Sequence, residues 1–257
     1  MNCMSRKEFT EEVIVLRIGQ FREIDCWVRF FSPSRGIVSA FAFGGYRSRR
    51  RFPGCLDILN QVMFKVVSNP TGKYFYLQEG SLLQRFSGIS RNMSRLGIAV
   101  NCIKFLEAAH LGGSDSRSVY YIILNTLQLL NSQAYVPAAF PLLFRAKVTG
   151  EYGFYPNITS CSLCGKEVDN DLESNYIFIL QEGKICCTQC VSRFCKQGIK
   201  LRGIALAGLE GVFRNDPSSW GNDLVFEKLD KMAMQAMDLF VRHHLGLIWS
   251  AGRFRIV

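Results

Sequence analysis

The chain of 257 residues lacks any uninterrupted apolar run of about 18 residues, so no membrane-spanning helix is expected. It opens Met1-Asn2-Cys3-Met4-Ser5-Arg6-Lys7-Glu8, with charges at once and no apolar stretch behind them. A secretory signal is therefore not expected, and the cytoplasm is the expected compartment. Histidine is scarce: His110, His243 and His244 are the only three, and none sits in an H-E-x-x-H pattern. Each reads as a helix-face residue rather than a ligand. No G-x-x-x-x-G-K-[ST] loop occurs, which argues against an ATPase. No acidic cluster resembles a two-metal nuclease centre. No internal repeat or low-complexity tract is seen. Nothing suggests a nucleophile, and a protein without turnover is expected.

Hydrophobic residues make up 48% of the chain and charged residues 20%, which suits a globular protein with a real core. The formal net charge is +10. Residues 1–150 hold 19 basic and 9 acidic side chains, whereas residues 151–257 hold 12 of each. The whole excess lies in the N-terminal part. That asymmetry points to a polyanion, nucleic acid before an anionic membrane. The plainer alternative is a solubilising charge.

Five short segments between residues 12 and 82 read as strands. They are Glu12–Ile18, Cys26–Phe31, Ile37–Phe43, Val62–Ser68 and Tyr74–Gln78, with turn residues such as Ser32-Pro33-Ser34-Arg35-Gly36 between them. Five strands in so short a span suit a small barrel, because closure removes exposed edges. The five-stranded oligonucleotide-binding (OB) barrel is the expected form. Trp27, Phe30 and Phe31 are expected to fill its core.

Helical spacing follows. Met93 to Leu111 carries Leu96, Val100, Ile103 and Leu106 on one face, and Gly112-Gly113 ends it. Ser116 opens a second helix through Leu130. A weaker one covers Pro137 to Val148, with Pro141 inside. Leu201 to Phe213 reads as a short helix, and Asp223 to Leu245 as one long one. The expected fold class is α+β: a barrel over 1–82, then a helical domain over 83–257 with an insert at about 155–195.

The insert holds the strongest chemical signal. Cys161-Ser162-Leu163-Cys164 and Cys187-Thr188-Gln189-Cys190 are two C-x2-C pairs separated by 22 residues, among ten cysteines in all. Without a secretion signal, clustered cysteines read as metal ligands and scattered ones as small core residues. This spacing matches a four-sulfur tetrahedral zinc site. Gly165 permits the positive φ that such a turn needs. Tyr176–Leu180 and Lys184–Cys186 read as a hairpin turning at Glu182-Gly183, which returns the second pair to the first. A complete four-cysteine set leaves no open position, so one structural zinc is expected rather than a catalytic one. Cys186 in place of Cys187 remains an alternative, and Cys195 is a further spare thiol.

After the third strand comes Gly44-Gly45-Tyr46-Arg47-Ser48-Arg49-Arg50-Arg51-Phe52-Pro53-Gly54. Guanidinium forks suit phosphate oxygens, and Tyr46 or Phe52 is placed to stack on a base. A solvated, idle charge cluster is the alternative.

These pieces together resemble the RecO family of recombination mediators. The resemblance rests on Val13-Ile14-Val15-Leu16-Arg17, Phe30 to Gly36, Gly45 to Arg51, the two cysteine pairs, Val241-Arg242-His243-His244-Leu245-Gly246 and Arg253-Phe254. It spans almost the whole chain. It implies a protein that binds single- and double-stranded DNA, anneals complementary strands, and helps RecA load onto coated strands. The implied partners are RecR, often RecF, and the acidic C-terminal tail of single-strand-binding protein. The nucleic-acid-binding set is taken as Arg35, Tyr46, Arg47, Arg49, Arg50 and Arg51, and the metal set as Cys161, Cys164, Cys187 and Cys190. The rival readings are a zinc-dependent enzyme acting on nucleic acid and a protein-interaction scaffold.

Overall fold

The computed structural model describes residues 8–109, 116–132, 136–169, 174–194, 198–221 and 225–256. His110, Leu111, the Gly112-Gly113 stop, Cys195, and Asp223 with Leu224 lie outside them. The strands are β1 (Glu8–Gln20), β2 (Cys26–Ser32), β3 (Gly36–Ala42), β4 (Gln61–Ser68), β5 (Phe75–Gln84), β6 (Asn157–Cys161), β7 (Asn175–Ile179), β8 (Lys184–Cys187), β9 (Ile199–Arg202), β10 (Leu247–Ser250) and β11 (Arg253–Ile256). The helices are α1 (Ser87–Ser90), α2 (Met93–Ala108), α3 (Arg117–Ser132), α4 (Phe140–Thr149), α5 (Thr188–Phe194), α6 (Gly203–Arg214), α7 (Val225–Lys228) and α8 (Lys231–Leu245). They fall into two compact units. Met1–Met93 with His110–Asn131 form one, and Ser94–Ala109 with Ser132–Val257 form the other.

The first unit is a closed barrel of order β1-β2-β3-β5-β4, as the five sequence segments imply. β1 is long enough to pair with two neighbours, and the short parallel pairing of β3 with β5 completes the ring. Its first half pairs with β4 from Glu8↔Val67 to Ile14↔Gln61, and its second half with β2 from Ile14↔Phe31 to Gln20↔Cys26. The register shifts between Val15 and Arg17, where one extra residue lets the strand bend from one neighbour to the other. Alternation then sorts the side chains. Val13, Val15, Val28, Phe30, Val62, Phe64 and Val66 fill the interior. Ala40 and Ala42 are the small residues that leave space for the Phe30 and Phe64 rings, 5.6 Å apart. Gly80 does the same, since a Cβ there would stand 2.7 Å from Phe64.

Trp27 departs from the expected core. It lies half-buried on the outer face with Arg29, because Cys26, Val28 and Phe30 take the inward positions of β2. Phe31 is also outward in register, yet fully buried. Helix α3 belongs to this unit: Gln61 donates to the Tyr120 hydroxyl at 3.2 Å, and the Asn131 side chain accepts from the Gly88 N–H at 2.8 Å.

The second unit packs α4 against α8, with Met237 and Phe240 of α8 fully buried. Pro141 sits in the first turn of α4, where its missing N–H costs nothing, so it does not break the helix. Phe240 meets Phe213 at 6.1 Å and Phe178 at 6.1 Å, so the helices and the small sheet β6-β8-β7-β9 share one core. Two expectations need correcting here. Leu201 lies in β9, paired with Tyr176, and the helix begins only at Gly203. The single long helix ending at Leu245 is broken. Val225–Lys228 is a separate turn, and Asp230 starts α8 by accepting the Ala233 N–H at 2.8 Å. Gly246, at φ +64, ends it.

Candidate functional site

The arginine segment leaves β3 through Gly44 (φ +63), whose N–H donates to the buried Asp25 carboxylate at 2.6 Å. Arg47 and Ser48 hydrogen-bond back to the Gly44 carbonyl at 3.2 and 3.0 Å. Farther on, Phe52 and Cys55 insert into the barrel core, and Asn60 donates to the Gly54 carbonyl at 2.9 Å. The Gly80 N–H of β5 donates to the Arg51 carbonyl at 2.7 Å. The segment is thus pinned at both ends and in its middle. A pinned ribbon loses less entropy on binding than a free loop.

Tyr46, Arg47, Arg49 and Arg50 are exposed on this ribbon, and the three arginines have no acidic partner among the described residues. Arg51 behaves differently. Its guanidinium donates to the Phe43 carbonyl and lies 5.1 Å from the Phe52 ring centroid. Phe52 is buried, which leaves Tyr46 as the one ring of the expected pair that faces solvent. Arg35 is not brought together with the others. It lies in the β2–β3 turn at the opposite end of β3, 4.2 Å over Phe9. β3 has 7 residues, so the separation along it is about 23 Å.

The cysteines converge. Cys161 ends β6, and a tight turn follows in which Gly165 (φ +74) donates to the Cys161 carbonyl at 2.9 Å. Cys187 ends β8 and Cys190 lies in the first turn of α5. The hairpin that returns the second pair is present, with Gly183 at φ +61 in its turn. The sulfurs of Cys161, Cys164, Cys187 and Cys190 all lie within 4.8 Å of one another. A tetrahedron of thiolates about 2.3 Å from its ion has edges of about 3.8 Å, and the Cys164–Cys187 pair stands at 3.9 Å. The donor set therefore fits a single thiophilic ion. The Cys187 N–H faces the Cys161 sulfur at 3.3 Å. Burial resists ionisation of Cys161, but N–H groups of Cys187, Cys164 and Leu163 outweigh it and bring the thiol down to about 6. Cys190 is pushed up to about 12, chiefly by its hydrogen bond with Cys187. Four crowded sulfurs resist carrying four charges until a cation joins them. Cys186 faces away and meets the Ser162 hydroxyl at 3.3 Å.

Comparison with known proteins follows the same division. The family profile described as Recombination protein O N terminal matches residues 4–86, and that described as Recombination protein O C terminal matches residues 90–249. The chain belongs to the RecO family. It is 38% identical over 248 residues to a DNA repair protein RecO of Maridesulfovibrio salexigens, covering 96% of this chain and 99% of that one. A RecO of Nitratidesulfovibrio vulgaris is 40% identical over 250 residues, covering 96% and 99%. The arginine ribbon lies within the N-terminal match and the cysteine quartet within the C-terminal one.

Within this RecO chain the remaining described cysteines separate cleanly from the quartet. Burial raises Cys26 and Cys55 to about 11, and Cys102 to about 12. They are core residues. Two parts of the ribbon were not foreseen. Asp25 gives no local signal, since its partner is 19 residues away. The burial of Phe52 was foreshadowed only by Cys55, three residues later and equally buried. Among the described residues no helix is long and apolar enough to cross a membrane.

Proposed function

We propose that this RecO-family chain is a recombination mediator in DNA repair that works without turnover. In this reading it binds single- and double-stranded DNA, anneals complementary strands, and with RecR assists RecA loading on strands coated by single-strand-binding protein. RecF and the acidic tail of the coating protein complete the partner set, and the cytoplasm is where it acts. Full-length kinship with proteins named DNA repair protein RecO is the observation that carries the proposal.

The chemistry available to the chain's own residues supports it. Arg47, Arg49 and Arg50 offer fixed guanidinium groups to phosphates, and Tyr46 lies beside them. Neutralising two backbones on one surface lowers the repulsion that opposes annealing. Arg51 acts in this reading mainly as a brace that holds the ribbon to Phe43. Cys161, Cys164, Cys187 and Cys190 would hold one zinc ion, which when bound supplies a structural crosslink. The division of the chain at about residue 82 is proposed as a division of labour, with DNA contact before it and the metal-clamped body after it, helix α3 alone returning to the barrel's unit.

The test is annealing of complementary oligonucleotides by the isolated full chain, naked and then coated with single-strand-binding protein. Acceleration of both is expected. No acceleration of naked strands would leave the scaffold reading in its place.

A further inference from the structure

The arginine ribbon begins one residue after Phe43, and Phe43 belongs to a second feature at the same end of the barrel. On the outer face at the end of β3, Phe41 and Phe43, the first residue past the strand, stand two residues apart with rings nearly parallel, 6.2 Å between centroids and 14° between planes. Phe41 pairs in register with Tyr76 of β5. Tyr76 lies 5.6 Å from Phe43 at 26°. Phe21, from the β1–β2 turn, meets Phe41 at 5.3 Å, and Tyr74 meets it at 6.5 Å. Five rings thus form one contiguous surface. Its outer members are well exposed: Tyr74 by 55%, Phe21 by 48% and Phe43 by 45%.

Scattered surface aromatics need no explanation, but a joined set of five does. We propose that this face is a base-stacking platform for single-stranded nucleic acid, continuous with the arginine ribbon. The inference rests on the nucleic-acid reading above and extends it from phosphates to bases. Charge complementarity selects the occupant. Arg22 lies 5.2 Å over Phe21, and Arg51 is tied to the Phe43 carbonyl. Next along the face, Trp27 pairs in register with Phe41 and carries Arg17 at 5.7 Å. The indole lies flat there because residue 19 is glycine, where a Cβ would stand 2.3 Å from the ring. Glu23 is the exposed acid of the 21–25 turn, against these cations. Aromatic faces interleaved with guanidinium groups suit a strand whose bases are free to stack and whose phosphates need neutralising. A duplex hides its base faces, so the platform favours the single strand.

The test measures binding of the full chain to an oligothymidylate and to an abasic oligomer of equal length, across a salt series. Four proteins are compared: wild type, Phe43→Leu/Tyr74→Leu, Arg47→Ala/Arg49→Ala/Arg50→Ala, and Tyr74→Phe. Leucine keeps apolar bulk, and Tyr74→Phe serves as the rescue. Wild type should prefer the oligothymidylate. The leucine pair should lose roughly 5-fold or more on it while keeping its affinity for the abasic oligomer and its salt slope. Tyr74→Phe alone should bind as wild type does. A leucine pair that matches wild type on oligothymidylate, or that weakens equally on both oligomers, overturns the platform and leaves the arginine ribbon standing. Wild type that binds neither oligomer overturns the nucleic-acid reading, and the platform with it.

Discussion

The barrel and the cysteine-bearing sheet are both β structures, yet they differ in where their candidate chemistry lies. The barrel encloses a cluster of fourteen buried side chains, from Val13 to Leu77, and shows its arginine ribbon outside. Its chemistry can change without touching its structure. The sheet β6-β8-β7-β9 has strands of four or five residues, too short to persist in isolation. Its four clustered sulfurs are at once its chemistry and its frame. A metal ion bound there would be worth about 10–16 kcal/mol, as in comparable small modules. In the first region structure and site are separable, and in the second they are the same atoms.

Removing the metal is the sharpest way to break that contrast. One zinc per chain is expected by elemental analysis, lost on chelation or in Cys161→Ser. Loss should open residues 157–194 to proteolysis and hydrogen exchange while β1–β5 keep their protection. A chain that retains full protection after chelation would mean that packing of Phe178 on Phe240 suffices for the sheet. The converse lesion is Phe64→Ala. Emptying the barrel centre should cost about 3–5 kcal/mol in denaturant unfolding, and the chain should still carry its metal.

The same contrast explains what the sequence made legible. Barrel strands announce themselves as short apolar, largely β-branched or aromatic runs between turn residues, and all five were located, although β5 runs on to Gln84, six residues past its expected end. The quartet was legible for a different reason: thiol spacing is a chemical signature that survives any fold. What failed lies between these signals. In Cys26-Trp27-Val28-Arg29-Phe30-Phe31 both faces are largely apolar, so composition does not tell Trp27 from Phe30. Strands β6, β9, β10 and β11 are too short to carry a period. Leu201 read as the start of a helix because its partner, Tyr176, is distant in sequence. Among the candidate site residues, Arg35 shares composition with the ribbon but not its end of the barrel, and Arg51 spends its guanidinium on Phe43.

If the barrel's chemistry is separable, Arg47→Ala/Arg49→Ala/Arg50→Ala should leave denaturant unfolding unchanged. It should reduce the salt slope of single-strand binding by about 2, at about 0.7 per lost phosphate contact. Affinity near physiological salt should fall tenfold or more. Arg51→Ala should instead lower stability as well as binding, since it frees the Phe43 carbonyl. Equal effects of the two variants on both readouts would dissolve the distinction between ribbon and brace.

The smallest effect concerns the join between the sheet and α8. Asp230 does two jobs with its two oxygens. One accepts the Ala233 N–H at 2.8 Å, and the other takes Arg202 at 2.9 and 3.0 Å. Arg202 is the last residue of β9, so this carboxylate fastens the helix start to the edge of the small sheet. Asp230→Ala removes both and should cost about 1 kcal/mol, most of it the cap, because the ion pair is partly exposed and screened. Asp230→Asn keeps an oxygen for Ala233 and should recover most of that loss. Were the asparagine variant as weak as alanine, the Arg202 contact would outweigh the cap. The sheet would then owe measurable stability to something other than its sulfurs.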